Sequence, residues 1–248
     1  MIKLKNASQI ERMRRAGRIV AETLELMREH AKPGVTTLDL DRMAEKYIRS
    51  QGAIPTFKGY NGFPASLCTS VNEQVVHGIP SLRCLESGDI ISIDCGATLD
   101  GYVGDAALTL PIGEVSEDIQ KLLRVTEESL MIGIAQAKVG NRLFDVSHAV
   151  QTHVEANGFS VVRDYVGHGI GSAMHEDPQI PNFGKPGRGP RLEVGMALAI
   201  EPMVNMGTYE VHTLKDLWTV VTKDNRPSAH FEHTVAITEN GLEILTRC

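Results

Sequence analysis

The stretch Asp89-Ile-Ile-Ser-Ile-Asp94-Cys-Gly-Ala-Thr-Leu-Asp100-Gly101-Tyr-Val-Gly-Asp105 leaves the chain few choices. Two apolar-rich runs flank Asp100-Gly101, a pair that takes positive φ readily and closes a two-residue β-hairpin. Such a turn pairs 99 with 102, 97 with 104 and 96 with 105. Asp105 then lies opposite Gly96, and Asp94, two positions from Gly96, points to the same face. Diagonal neighbours in a sheet sit roughly 7–8 Å apart, close enough for side chains to converge. Like charges aimed at one spot in a buried sheet are costly unless something positive lies between them. Two readings are open at this point: a pair of solvated aspartates on an exposed face, or a divalent metal site.

The rest of the chain narrows the choice. Its 248 residues suffice for one large domain or two small ones. A formal charge of −6, with no Lys/Arg block, argues against a nucleic-acid surface. An apolar share of 42% with 23% charged residues is ordinary for a globular protein. No apolar run is long enough to span a membrane, and Met1-Ile-Lys-Leu-Lys-Asn6 has no signal core. Cys68, Cys84, Cys95 and Cys248 show no C-x-x-C pairing and read as reduced thiols. A cytoplasmic protein is expected.

A repeat runs through the chain. Ser8-x-x-Glu11 has the form of a capping box, and Ile10, Met13, Gly17, Val20, Leu24 and Met27 follow at helical spacing as far as Lys32-Pro33-Gly34. A second helix starts near Thr37, turns Leu40, Met43, Tyr47 and Ile48 inward, and ends at Gly52. After a Gly- and aromatic-rich loop and two short β-like runs (66–71 and 74–77) comes the hairpin. Past Pro111 the pattern restarts: Ser116 caps a helix with Ile119, Leu122, Leu123 and Leu130, and another runs to Gly158. A shift of 106 places Lys32 on Lys138, Gly34 on Gly140, Asp39 on Asp145 and Gly52 on Gly158. Glu86-x-Gly88-x5-Asp94 matches Glu193-x-Gly195-x5-Glu201, His77-Gly-Ile-Pro-Ser matches His168-Gly-Ile-Gly-Ser, and Asp105 corresponds to Glu232. The expectation is an α+β fold in a single domain, 1–248, of two duplicated halves, about 1–113 and 114–248, facing each other across an approximate two-fold axis. The loop 178–190, rich in Pro and Gly, reads as a surface excursion.

Each half delivers acidic residues at equivalent places, so the site should lie between them. Asp94, Asp105, His168, Glu201 and Glu232 form an oxygen-rich set with one imidazole, suited to Mn, Fe, Co or Zn. Five ligands serve two ions only if some carboxylates bridge, which holds the ions roughly 3.5–4 Å apart.

Gly167-His168-Gly-Ile-Gly, His175-Glu, Ala199-Ile-Glu201-Pro-Met and Phe231-Glu232-His-Thr, with Asp105 eleven positions after Asp94, resemble type I methionine aminopeptidase over nearly the whole chain. The short gap between Glu201 and Glu232 and the absence of an N-terminal extension resemble the short bacterial form. The resemblance implies the pseudo-two-fold "pita-bread" fold, with an antiparallel sheet, helices on its outer face and a dinuclear metal site between the halves. It implies two divalent ions (Co, Mn, Fe, Zn or Ni), with Asp105 and Glu232 bridging, His168 and Glu201 completing one ion, and Asp94 chelating the other. It makes Glu201 the general base and puts His77 and His175 beside the substrate. It points to Phe57, Tyr60, Phe63, Cys68, Met174 and Trp218 as the methionine pocket, although position 174 is often aromatic in the family and position 57 is Cys in some relatives. The implied substrates are nascent polypeptide N-termini near the ribosome exit, after a peptide deformylase, with the enzyme a monomer. A proline dipeptidase or Pro-X aminopeptidase of the same fold is the alternative enzyme, and a non-catalytic binding module the alternative class.

Overall fold

The computed structural model describes all residues, Met1–Cys248. At its centre the strands Ile90–Leu99 and Tyr102–Pro111 form the expected hairpin, pairing Leu99 with Tyr102, Ala97 with Gly104 and Gly96 with Asp105. Asp100 and Gly101 turn the corner at φ 48° and 76°, the left-handed conformation this dipeptide favours. Alternation along the hairpin then divides its two faces. Ile91, Ile93, Cys95 and Ala97 join Ala106, Leu108 and Leu110 in the main apolar core, while Asp94, Gly96, Asp105 and Ala107 look the other way.

The hairpin belongs to a nine-stranded sheet. On one side Ile54–Pro55 and Leu67–Val71 pair with the first hairpin strand. On the other, Glu232–Thr238 pairs with the second, followed by Ala197–Ile200, Gly167–Gly169 and Glu176–Ile180 at the edge. Four helices, α1 (Ala7–His30), α2 (Thr37–Ser50), α3 (Glu117–Gln136) and α4 (Leu143–Ala156), supply side chains to the main core. Val20, Leu24, Leu40, Ile48, Leu130 and Ile134 pack there with Leu198, Ile200, Val235 and Ile237 of the sheet. No helix is long and apolar enough to cross a membrane. The architecture is the expected α+β type.

The two middle strands meet through only two opposed pairs, Glu232 with Ala107 and His233 with Ala106. Beyond each end of that short ladder a threonine hydroxyl stands in for the missing strand. Thr234 Oγ1 donates to Asp105 O (2.7 Å) and accepts from Asp105 N (3.1 Å). Thr109 Oγ1 donates to His230 O (2.8 Å) and accepts from His230 N (2.9 Å). The strands spread apart without orphaning buried backbone groups.

Two local expectations are corrected. Helix α1 is capped by Asn6, whose side chain accepts from Gln9 N (3.0 Å) while the Gln9 side chain accepts from Asn6 N (2.8 Å). Ser8 lies inside the helix, so its pairing with Glu11 is not the cap. The loop 178–190 is built into the fold rather than a free excursion. It begins in the edge strand, buries Asn182, and wraps the start of α4 through Gly187 N to Asp145 Oδ1 (2.7 Å) and Arg142 Nη1 to Gly189 O (2.7 Å).

Glycine decides how closely α1 seats on the hairpin. A Cβ on Gly104 would lie 2.6 Å from Gly17 N and 2.7 Å from Gly17 Cα. Gly104→Ala should therefore push α1 off the strand that carries Asp105, costing about 1–3 kcal/mol. Calorimetric melting should show a Tm lower by roughly 2–12 °C, and an unchanged Tm would mean that this contact is loose.

Candidate metal centre

The hairpin strands carry Asp94 and Asp105 to the face away from the helices, where Asp94 is only partly covered and Asp105 is buried. His168 stands in the strand Gly167–Gly169, paired with Ala199 and with Gln179. Glu201 follows the strand Ala197–Ile200, its backbone carbonyl held by Asn182 Nδ2 at 3.0 Å. Glu232 opens the strand that meets the hairpin. Ligand atoms of Asp105, His168 and Glu232 lie within 4.8 Å of one another, and so do those of Glu201, His230 and Glu232. Asp94 stands outside both triplets but borders the same cavity.

His168 Nδ1 lies 2.9 Å from Gly169 O, which fixes the proton on that nitrogen and leaves the Nε2 lone pair free. Nε2 sits 3.7 Å from Asp105 Oδ2 and 3.6 Å from Glu201 Oε1. Burial, together with the negative charge of Asp105, pushes the carboxyls of Asp94 and Glu232 well above the usual range. Burial also raises Asp105, with His168 pulling the other way. Asp94 Oδ1, Asp105 Oδ1, Glu232 Oε1 and His230 Nε2 are buried with no hydrogen-bond partner. Repelling carboxylates with unsatisfied oxygens, beside a free imidazole nitrogen, fit a divalent cation.

All thirteen residues singled out in the sequence line one cavity of about 190 Å³, joined there by Asn61. The same cavity is lined by Phe57, Tyr60, Phe63, Cys68, Met174 and Trp218. Phe63 meets Trp218 edge-on at 5.1 Å, and Asp41 pins this lining by accepting from Ser66 N and Leu67 N at 2.8 Å each. Tyr60 Oη lies 2.7 Å from His175 Nδ1. Burial, helped by neighbouring His168, pulls His175 down to about 4, so its ring is neutral near pH 7. His77, at φ 60°, sits edge-on to Tyr165 at 5.6 Å, and backbone strain of that kind costs about 1–3 kcal/mol.

His230 was missed. It is fully buried, with Nε2 3.4 Å from Glu201 Oε2. Strand alternation held the signal, since a residue two positions before Glu232 shares its face. A larger hollow, about 770 Å³, opens between α1 and α3 on the other side of the sheet. It gathers arginines and glutamates and no converging set of ligand atoms.

The family model of metallopeptidase family M24 matches residues 11–239. The chain is 62% identical to the methionine aminopeptidase of Clostridium acetobutylicum, over the full length of both proteins. Its fold superposes on the crystal structure of methionine aminopeptidase from Thermotoga maritima with a TM-score of 0.98, at 49% identity and full coverage of each chain. An Xaa-Pro dipeptidase from Bacillus anthracis shares the fold alone: TM-score 0.78, 22% identity, spanning 99% of this chain but 62% of that one.

Chelation of divalent metal should lower the Tm. A cation at about 100 times its Kd adds roughly 2.7 kcal/mol, equivalent to a rise of about 5–10 °C for a chain of this size. Asp105→Asn removes one repelling charge and should hold or raise the Tm of the metal-free protein while erasing the response to Mn2+. Melting curves with and without the ion check both signs; an equal rise in variant and wild type would contradict the assignment.

Proposed function

The chain belongs to metallopeptidase family M24 and, within it, to the methionine aminopeptidases, and on that premise we propose that it removes the N-terminal methionine from new polypeptides whose second residue is small. The observation that carries this reading is the cavity itself, lined together by carboxylates, imidazoles and a set of aromatic, thioether and thiol groups. The Xaa-Pro dipeptidase reading has only the shared fold behind it.

In this proposal the chain is one catalytic domain of two duplicated halves. Asp94, Asp105, His168, Glu201 and Glu232 would hold two divalent cations. Bound there, such ions would supply Lewis acidity for the scissile carbonyl and for deprotonation of a water. The remaining work falls to the protein's own groups. Glu201 accepts the proton of the attacking water and returns it to the leaving amine. Asn182 on its carbonyl and His230 beside its carboxylate support that orientation. Tyr60 Oη, 2.7 Å from His175 Nδ1, orients the neutral ring; in the tautomer that accepts the phenol's hydrogen bond at Nδ1, Nε2–H is a donor for the charge that develops on the carbonyl oxygen. His77 and Asp94 receive the free α-amine, which limits cleavage to one terminal residue. Phe57, Tyr60, Phe63, Cys68, Met174 and Trp218 take the thioether through dispersion and sulfur–aromatic contacts. The enzyme works in the cytoplasm as a monomer, near the ribosome exit and after a deformylase, since a formyl group removes the charge that the amine site reads.

Peptides beginning Met-Gly, Met-Ala or Met-Ser should be cleaved, those beginning Met-Lys or Met-Phe resisted, and formylated or acetylated ones refused. Efficient hydrolysis of Ala-Pro in place of Met-Ala-Ser would overturn the reading in favour of the dipeptidase.

Glu201→Gln keeps the side chain's size and one oxygen but loses its basicity. Its kcat should fall by roughly 10²–10⁴, with little change in KM. Saturating the variant with Mn2+ should leave the rate low; full recovery would reduce Glu201 to a ligand.

A further inference from the structure

The segment before α1 reaches across to the residues that carry His175. Lys5 N donates to Gly195 O at 2.7 Å, which ties this segment to the turn ahead of the strand Ala197–Ile200. Its side chain then turns inward to an ion pair with Glu176, Nζ to Oε2 at 2.8 Å, with the two side chains only 5% and 3% exposed. Each charge has a further partner: Lys5 Nζ donates to Lys3 O (2.9 Å), and Glu176 Oε1 accepts from Ala173 N (3.2 Å). Burial works against the charge on Glu176, but Lys5 and the Ala173 amide outweigh it and keep the carboxylate ionised.

The backbone of 171–176 is folded around this pair. A Cβ on Gly171 would come within 2.5 Å of Lys5 Cε and 2.8 Å of Glu176 Oε1, so the ion pair packs directly against the turn. Gly171 N donates to Ala173 O (3.2 Å), and Gly171 O accepts from Val103 N (2.9 Å), tying the turn to the hairpin strand that carries Asp105. The two residues between Ala173 and Glu176 are Met174 and His175, both of which line the cavity. Desolvating an ion pair gives little net stability over apolar side chains of similar shape, whereas its directional bonds define one geometry.

We propose that Lys5, through Glu176, is a positioning residue for the reaction: it locks the 171–176 turn so that His175 meets the scissile peptide and Met174 closes the side-chain pocket. This rests on the proposed role of His175. The segment ahead of the first helix thereby becomes part of the active-site architecture, although Lys5 itself lines no part of the cavity.

A double-mutant cycle on the metal-loaded full chain tests it, with kcat, KM and Mn2+ affinity measured for wild type, Lys5→Met, His175→Ala and the double variant. Lys5→Met should lower kcat about tenfold or more, since a displacement near 1 Å can cost up to about 10²-fold, and should leave Mn2+ affinity within about twofold. In the His175→Ala background the same change should cost less than about twofold. Equal losses in both backgrounds, or a wild-type kcat in Lys5→Met, would overturn the proposal. Full activity of His175→Ala would instead remove the role of His175 and the proposal with it. Should Lys5→Met fail to fold, Glu176→Gln keeps the acceptor for Ala173 N and removes the charge; it should give the same non-additive pattern, and an additive one overturns the proposal equally.

Discussion

Asp94, Asp105, Glu201 and Glu232 bring four carboxyl groups to one small cavity, with His168 Nε2 3.6 Å and His230 Nε2 3.4 Å from Glu201 oxygens. That crowding of negative charge governs the arrangement around it. Left to themselves, such groups would protonate or swing apart, and the raised affinities of Asp94, Asp105 and Glu232 for protons express the first response. The second is blocked by the backbone. Asp105 is clamped by a threonine on both its N–H and its C=O, Asp94 lies in a ladder paired on both sides, and the carbonyl of Glu201 is held by an amide. Charge that can neither disperse nor relax is charge prepared for a cation.

The apolar lining of the cavity follows a different rule. Its side chains come largely from turns, which are rigid only where something buried holds them. Asp41, reaching from α2, does this for the loop that runs into the strand Leu67–Val71, and the Lys5–Glu176 pair does it for the turn that carries Met174. The acidic residues thus sit on strands or at their ends, and the aromatic and thioether side chains largely on clamped loops. Repacking Phe57 or Met174 changes the shape offered to a substrate and leaves the ladder under the carboxylates intact.

Much of this was legible in the chain before its coordinates. Asp-Gly between two apolar runs set the hairpin register, and period-two alternation set the face of Asp94 and Asp105, because both signals are local. The repeated Glu-x-Gly-x5-acid pattern brought Glu201 into the set, and the motif around His168 and Glu232 completed it. What stayed hidden depends on partners distant in sequence. Asn6 outcompetes Ser8 as the cap because the first helical turn starts one residue after Asn6, a boundary that two overlapping capping patterns leave open. Asn182 looked like part of a surface loop because its use, a carbonyl 19 positions away, has no local pattern. Lys5 carries no local pattern that marks it out, and only the folded chain brings Glu176 to it from 171 positions away.

The threonine clamp on Asp105 has a consequence in time. Thr234 lies 129 positions after the residue it holds. A chain made from its N-terminal end acquires the hairpin early, with two aspartates on one face and the Asp105 strand unpaired along its far edge. Nothing completes that edge until the strand Glu232–Thr238 has been made. Contacts of such long range are slow to close, because most of the chain's freedom is lost before they form. The acidic cluster is therefore complete only after that strand has been made, and until then the growing protein carries an open strand edge beside an incomplete cluster.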